Sequence, residues 1–141
     1  RQLAQLIILE VPNLKDLDID WIVPVPTTQQ KIRHRGFNPA GQIARFLARS
    51  SKAKFKPRLL IKKEGTPSQV GSTRAQRKQQ INGSIKCRYP NVNGDRLPST
   101  HPRILLVDDV ITTGTTLNVC AKALNRAGYL HVLALAVAIN P

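Results

Sequence analysis

Residues 104–117 constrain the fold more than any other part of the chain, because they join an apolar stretch to two aspartates, a polar turn and a helix start. Residues 104–107 are aliphatic without polar alternation, which is typical of a strand covered on both faces in a parallel sheet. Asp108 and Asp109 follow at its carboxyl end, where open α/β sheets bind ligands. The run predicts an α/β fold with a mostly parallel central sheet flanked by helices.

The turn after the two aspartates is rich in groups that bind phosphate. Hydroxyls and backbone N–H groups precede a predicted helix, whose N-terminal amides and dipole favour an anion. The residues predicted to hold one phosphate are Thr112, Thr113, Gly114, Thr115 and Thr116. A Walker-type phosphate loop is excluded for this segment, since the Gly-Lys-Ser/Thr ending is missing.

Asp108 and Asp109 are hydrogen-bond acceptors, so we expect a ligand that carries hydrogen-bond donors next to its phosphate. Vicinal ribose hydroxyls are such donors, and each bond to a charged acceptor is worth ~1.5–3 kcal/mol. The aspartates and the turn together predict a ribose 5-phosphate. The alternative is an ordinary capped helix after a buried strand. The capped-helix alternative accounts for one aspartate and one threonine. It does not account for two adjacent aspartates followed by four threonines around a glycine.

This segment resembles the signature of the type I phosphoribosyltransferases, whose substrate is phosphoribosyl pyrophosphate (PRPP). The resemblance implies that Asp108 and Asp109 are the catalytic pair, contacting the ribose hydroxyls, and that the Thr/Gly turn wraps the 5-phosphate. It also implies Mg²⁺ as cofactor, bound mainly through PRPP, with no direct protein ligand.

A second anion site is predicted at the carboxyl end of the first sheet strand. Backbone amides and cations meet there, as a displaced pyrophosphate requires, and the alternative is a proline-rich turn with solvated bases. The predicted pyrophosphate residues are Val25, Pro26, Thr27, Arg33 and Arg35. A polar loop over residues 62–82 is expected to close as a lid through Lys63, Arg74 and Arg77, because water would otherwise compete as the nucleophile.

The order of several short motifs resembles the ComF family of phosphoribosyltransferase-like proteins, which are linked to natural competence for DNA uptake. The motifs are residues 24–26, residues 33–38, Gln69 and Arg77 in the polar loop, and the Asp-Asp segment. Departures from the family pattern are Pro39, Ser72 and Gln80, where glutamine, an apolar residue and asparagine are expected. Members often carry an N-terminal four-cysteine zinc module, and such cysteines do not occur in this sequence.

Length and composition predict one domain over residues 1–141, and the resemblance implies that this domain is phosphoribosyltransferase-like. The chain opens with Arg1, so an N-terminal segment is expected to precede it. The longest apolar run is far shorter than the ~20 residues of a membrane helix, which predicts a cytoplasmic protein without a membrane span. Cys87 and Cys120 are isolated, which favours structural burial over a metal site, with Cys120 facing the sheet.

Apolar spacing predicts the remaining elements. Helices are expected at residues 3–9, from an Asn38 N-cap and Pro39 to about Arg49, and over 115–127. Strands are expected at residues 21–26, 58–61, 84–87 and 131–137, and Trp21 is assigned to the core.

Positive charge is concentrated in the middle of the chain. Residues 31–88 carry 16 of the 22 Lys and Arg and only Glu64 among the 8 acids. Such a segment attracts polyphosphate or nucleic acid, and a solvated basic face is the alternative.

Two functions stay open: a phosphoribosyltransferase of the pentosyl class, or a non-catalytic PRPP- or nucleotide-sensing module that binds single-stranded DNA or an uptake-machinery protein. The acceptor substrate is not identified, and a homodimer is a further open expectation.

Overall fold

The computed structural model describes residues 17–64, 83–88, 101–111 and 113–139. The predicted helix at residues 3–9 and the loop residues Gln69, Arg74 and Arg77 lie outside these ranges, as does Thr112. In chain order the elements are β1 (Trp21–Pro24), α1 (Gln29–Arg35), α2 (Pro39–Arg49), β2 (Lys54–Phe55), β3 (Leu60–Lys62), β4 (Ile85–Cys87), β5 (Arg103–Ile111), α3 (Thr115–Arg126) and β6 (His131–Ile139).

The central sheet confirms the predicted α/β class. Its four strands lie in the order β2-β1-β5-β6 and all neighbouring pairs are parallel. β3 and β4 form a separate antiparallel pair, in which Lys62 lies opposite Ile85. Among the helices of the described ranges, none is long and apolar enough to cross a membrane.

β5 divides the core into two layers by the alternation of its side chains. Ile104 and Leu106 pack with α3 and the β3–β4 pair, whereas Leu105 and Val107 pack with α2 on the other face. All four are at most 2% exposed, so the prediction of a strand covered on both faces is confirmed. On α3, Cys120 is fully buried in the first layer, as predicted.

Several local predictions need correction. α1 and β2 were not expected, since a seven-residue polar helix and a two-residue strand carry little apolar periodicity. Trp21 is half-buried at the margin of the core, where its ring packs 5.6 Å from that of Tyr129 and lies under the Lys56 ammonium.

The start of α2 is also built differently from the prediction. Asn38 occupies the N-cap position before Pro39, but its side chain makes no cap hydrogen bond. The Asn38 amide instead donates to the Val25 carbonyl at 3.0 Å. Asn38 therefore ties the start of α2 to the loop after β1.

Candidate functional site

Two neighbouring strands bring the two predicted ligand segments to the same edge of the sheet. β1 and β5 are parallel, with Pro24 paired to Val107, so the loops that follow them leave the sheet in the same direction. The Val25 N–H donates to the Val107 carbonyl at 2.8 Å and extends this ladder by one residue. Since paired strands lie about 4.8 Å apart, the β1–α1 loop begins beside Asp108.

Asp108 is a carboxylate held in a nearly dry position. It is 9% exposed, and its Oδ1 accepts a hydrogen bond of 2.9 Å from the Asp109 N–H. Burial, with a smaller contribution from the Asp109 carboxyl beside it, raises the pKa of Asp108 to about 6. Asp109 itself is half-buried. Asp108 therefore presents acceptor oxygens in a low-dielectric position, which strengthens hydrogen bonds from sugar hydroxyls.

The Thr/Gly turn forms the start of α3. Gly114 is the N-cap residue with φ of 69°, a left-handed conformation that favours glycine. The Thr113 and Thr115 hydroxyls lie 2.8 Å apart, and the Thr115 N–H points at the Thr113 hydroxyl at 3.4 Å. A Cβ on Gly114 would meet nothing within 4 Å, so backbone conformation rather than space requires the glycine.

The β1–α1 loop contributes less backbone to anion binding than predicted. The Val25 N–H and carbonyl are both used, by Val107 and Asn38, and Pro26 has no N–H. Val25 and Pro26 therefore shape the loop rather than donate to a ligand. Thr28 caps α1 by accepting from the Lys31 N–H at 3.3 Å. Of the predicted pyrophosphate residues, this leaves Thr27 and the two arginines.

Arg33 and Arg35 lie in the last turn of α1 and are exposed, as is His34 between them. α1 follows directly on the loop at the edge of the sheet, so both cations lie on the segment predicted to bind pyrophosphate. Their contact with pyrophosphate stays a prediction. Lys63, from the predicted lid, is exposed just beyond β3.

Lys62 is a site residue that sequence reasoning did not single out. It ends β3 and is half-buried, and its ammonium acts electrostatically on both Asp108 and Cys120. In the sequence it is one of two adjacent lysines after an apolar stretch. Only the packing of the β3–β4 pair against the sheet distinguishes Lys62 from Lys63.

Two curated proteins are similar to this chain over most of its length. The chain is 31% identical over 132 residues to Competence protein F of Haemophilus influenzae, covering 91% of this chain and 56% of that protein. The resemblance to the ComF family is confirmed. This ComF-like chain is also 28% identical over 130 residues to the DNA utilization protein YhgH of Escherichia coli K12, covering 89% of this chain and 54% of that protein. It thus spans about half the length of these curated relatives, and no family model matches it.

A solved structure supports the fold assignment. The allosteric regulatory enzyme of purine biosynthesis superposes on the ComF-like chain with a TM-score of 0.60 at 19% identity. The match covers 96% of this chain and 24% of that one. The chain has the type I phosphoribosyltransferase fold.

Proposed function

We propose that this ComF-like domain binds PRPP and transfers its phosphoribosyl group to a nitrogen acceptor in a process connected with natural competence. One observation carries the proposal: the buried carboxylate of Asp108 and the half-buried carboxylate of Asp109 precede a Thr/Gly turn at the start of α3, at the carboxyl end of the sheet. The names of the two curated relatives support the link to DNA use.

In the proposed reaction the acceptor nitrogen forms a bond to the anomeric carbon, while the bond from that carbon to the pyrophosphate oxygen breaks. The electron pair of that bond leaves with pyrophosphate, and the acceptor nitrogen releases its proton to water. Asp108 and Asp109 accept hydrogen bonds from the ribose hydroxyls and offset the positive charge that develops on the ring. The Thr113 and Thr115 hydroxyls and the amides at the start of α3 hold the 5-phosphate. Thr27, Arg33 and Arg35 are proposed to bind the departing pyrophosphate.

Mg²⁺ is expected to accompany PRPP and to neutralise pyrophosphate charge when bound. In the part of the chain that the structure describes, no three His, Cys, Asp or Glu side chains lie together as a metal site. Oxygen atoms are the ligands that Mg²⁺ prefers, and PRPP supplies many of them. We therefore propose that Mg²⁺ would be held mainly through oxygen atoms of PRPP.

Calorimetric titration with PRPP and Mg²⁺ tests binding without knowledge of the acceptor. The wild type is expected to bind, and the double variant Asp108→Asn with Asp109→Asn is expected to bind at least tenfold more weakly, because two charged acceptors are lost. Asp18→Asn is the matched control, since its side chain is 91% exposed. Equal affinity of the double variant and the wild type would contradict the ribose assignment.

Release of pyrophosphate distinguishes transfer from sensing. Each nucleobase is supplied with PRPP and Mg²⁺, and pyrophosphate is measured. Consumption of PRPP that requires one acceptor supports the transferase. PRPP binding without turnover for any nucleobase favours the second candidate, a sensing module.

The second candidate is supported by the exposed cations beside the site. α1 exposes Lys31, Arg33, His34 and Arg35, and has no acid in its first turn. Such a surface fits single-stranded DNA or an acidic protein of the uptake machinery, with affinity that falls steeply with salt. A salt-insensitive or absent interaction with oligonucleotides would exclude the DNA form of this candidate. A cytoplasmic location and a homodimer stay predictions.

A further inference from the structure

The β3–β4 pair turns one lysine toward the core layer that the buried carboxylate of the candidate site also faces. Along β3, Leu60 is 2% exposed, Ile61 is 38% exposed and Lys62 is half-buried. Because strand side chains alternate between faces, Lys62 shares the inner face with Leu60. Its antiparallel partner Ile85 is buried in the core layer on the α3 side of the sheet, which confirms that orientation.

Asp108 approaches the same place from the sheet. It follows Ile104 and Leu106 on the alternating face of β5 that packs with α3, Leu60 and Ile85. Lys62 on β3 and Asp108 on β5 therefore both face the core layer on the α3 side of the sheet. The second adjacent lysine, Lys63, is exposed, with its backbone N–H bonded to the Ser84 carbonyl.

We propose that Lys62 is a positioning residue for the ribose site: its ammonium, carried against the sheet by the β3–β4 pair, keeps the Asp108 carboxylate charged and in place to accept hydrogen bonds from a sugar. Without a nearby cation the pKa of a buried acid rises further, and a protonated carboxyl has an O–H donor and fewer acceptor sites than a carboxylate. Lys62 opposes that change.

The titratable groups that face Asp108 within the described ranges come from three elements. Asp109 on β5 favours the protonated form of Asp108, and Lys62 on β3 favours the ionised form. Cys120 on α3 stays a neutral thiol, because burial and the Asp108 charge raise its pKa to about 12. Lys62 is thus the cation among these groups. Its removal leaves burial and the Asp109 carboxyl favouring the protonated form, opposed by the hydrogen bond from the Asp109 N–H.

Carboxyl ¹³C NMR of the ligand-free protein tests this directly. The Asp108 titration midpoint is expected to rise by about one pH unit in Lys62→Met, which keeps most of the apolar stem, and to stay near wild type in Lys62→Arg. Lys63→Met is the matched control and should not move it. An unchanged or lowered midpoint in Lys62→Met overturns the proposal. If Lys62→Met does not fold, Lys62→Gln is measured in the same way.

PRPP titrations add a functional readout, and this part rests on the proposed function. If only ionised Asp108 binds the sugar, a midpoint about one pH unit higher weakens PRPP binding by Lys62→Met about eightfold at pH 5.5 and leaves it nearly equal to wild type at pH 8.5. Comparing the proteins at one pH cancels the titration of PRPP itself. Equal weakening at both pH values overturns the positioning role and assigns Lys62 to direct phosphate contact.

The two readouts separate failure of this proposal from failure of the proposed function. If the wild type does not bind PRPP but Lys62→Met raises the Asp108 midpoint, the PRPP assignment is wrong and the positioning role of Lys62 stands. If the wild type binds PRPP but the Asp108 midpoint does not move in Lys62→Met, the positioning role of Lys62 is wrong and the PRPP assignment stands.

Discussion

Replacement of Asp108 by asparagine is expected to stabilise the ligand-free domain at neutral and alkaline pH. The pKa of Asp108 is raised from 3.8 to about 6, mainly by burial, so ionisation of this carboxyl opposes folding. An asparagine amide has nearly the same shape, stays neutral, and keeps an oxygen for the Asp109 N–H. The variant therefore removes a buried charge without opening a cavity.

The magnitude follows from linkage between protonation and folding. The folded state binds the Asp108 proton more tightly than the unfolded state does. The stability that protonated Asp108 contributes is therefore fully present below pH 3.8 and is lost as pH rises through 6. The difference between 3.8 and about 6 corresponds to about 3 kcal/mol at most, at 1.36 kcal/mol per pKa unit. Burial of the asparagine amide offsets part of this gain, so we expect about 2 kcal/mol at pH 8.

Urea denaturation from pH 4 to pH 8 measures this effect. With a typical urea dependence of about 1.5 kcal/mol per molar, the midpoint of Asp108→Asn should exceed that of wild type by about 1 M at pH 8 and match it near pH 4. Asp18→Asn, which removes an exposed carboxylate, should show no such pH-dependent difference. A variant that is less stable than wild type by the same amount at both pH values would refute the burial argument.

Three further substitutions or reactions test individual parts of the site. Gly114→Val should weaken ribose 5-phosphate binding in a titration more than Gly114→Asn does, because a β-branched residue disfavours φ of 69°. Equal effects of the two substitutions would contradict this reason. Asn38→Ala should lower the free energy of unfolding by about 1 kcal/mol through loss of the bond to the Val25 carbonyl, as measured by urea denaturation; no change would show that this bond contributes nothing. Cys120 should resist iodoacetamide at pH 8 until the protein is unfolded, because its pKa is about 12; mass spectrometry showing rapid native labelling would contradict its burial.

The parts of the fold that sequence predicted well are those with strong local signals. The uninterrupted aliphatic residues before Asp108 indicated β5, and the pattern after Gly114 indicated α3, which ends one residue before the predicted boundary. Both signals arise from residues adjacent in the chain. The predicted helix from Pro39 to Arg49 was likewise confirmed to the residue.

The parts that sequence did not predict depend on contacts between distant residues. Lys62 becomes a site residue only because β3 pairs with β4 and packs on the sheet. Asn38 was expected to cap its own helix, as its residue type favours, but its amide found an acceptor 13 residues away in Val25. β2 forms because β1 offers it a pairing edge, and its two residues carry no pattern of their own. Tertiary structure overrode local preference at each of these places.

The hydrogen bond between Val25 and Val107 has a consequence for ligand selection. It belongs to the backbone, so the position of the start of the β1–α1 loop beside Asp108 does not depend on which side chains that loop carries. Substitutions in this loop are therefore expected to alter how tightly a ligand is held, but not the distance from the start of the loop to the carboxylate. Under the proposed function, the spacing between the pyrophosphate and the ribose of a bound ligand would then be selected by the sheet and would survive extensive change in this loop.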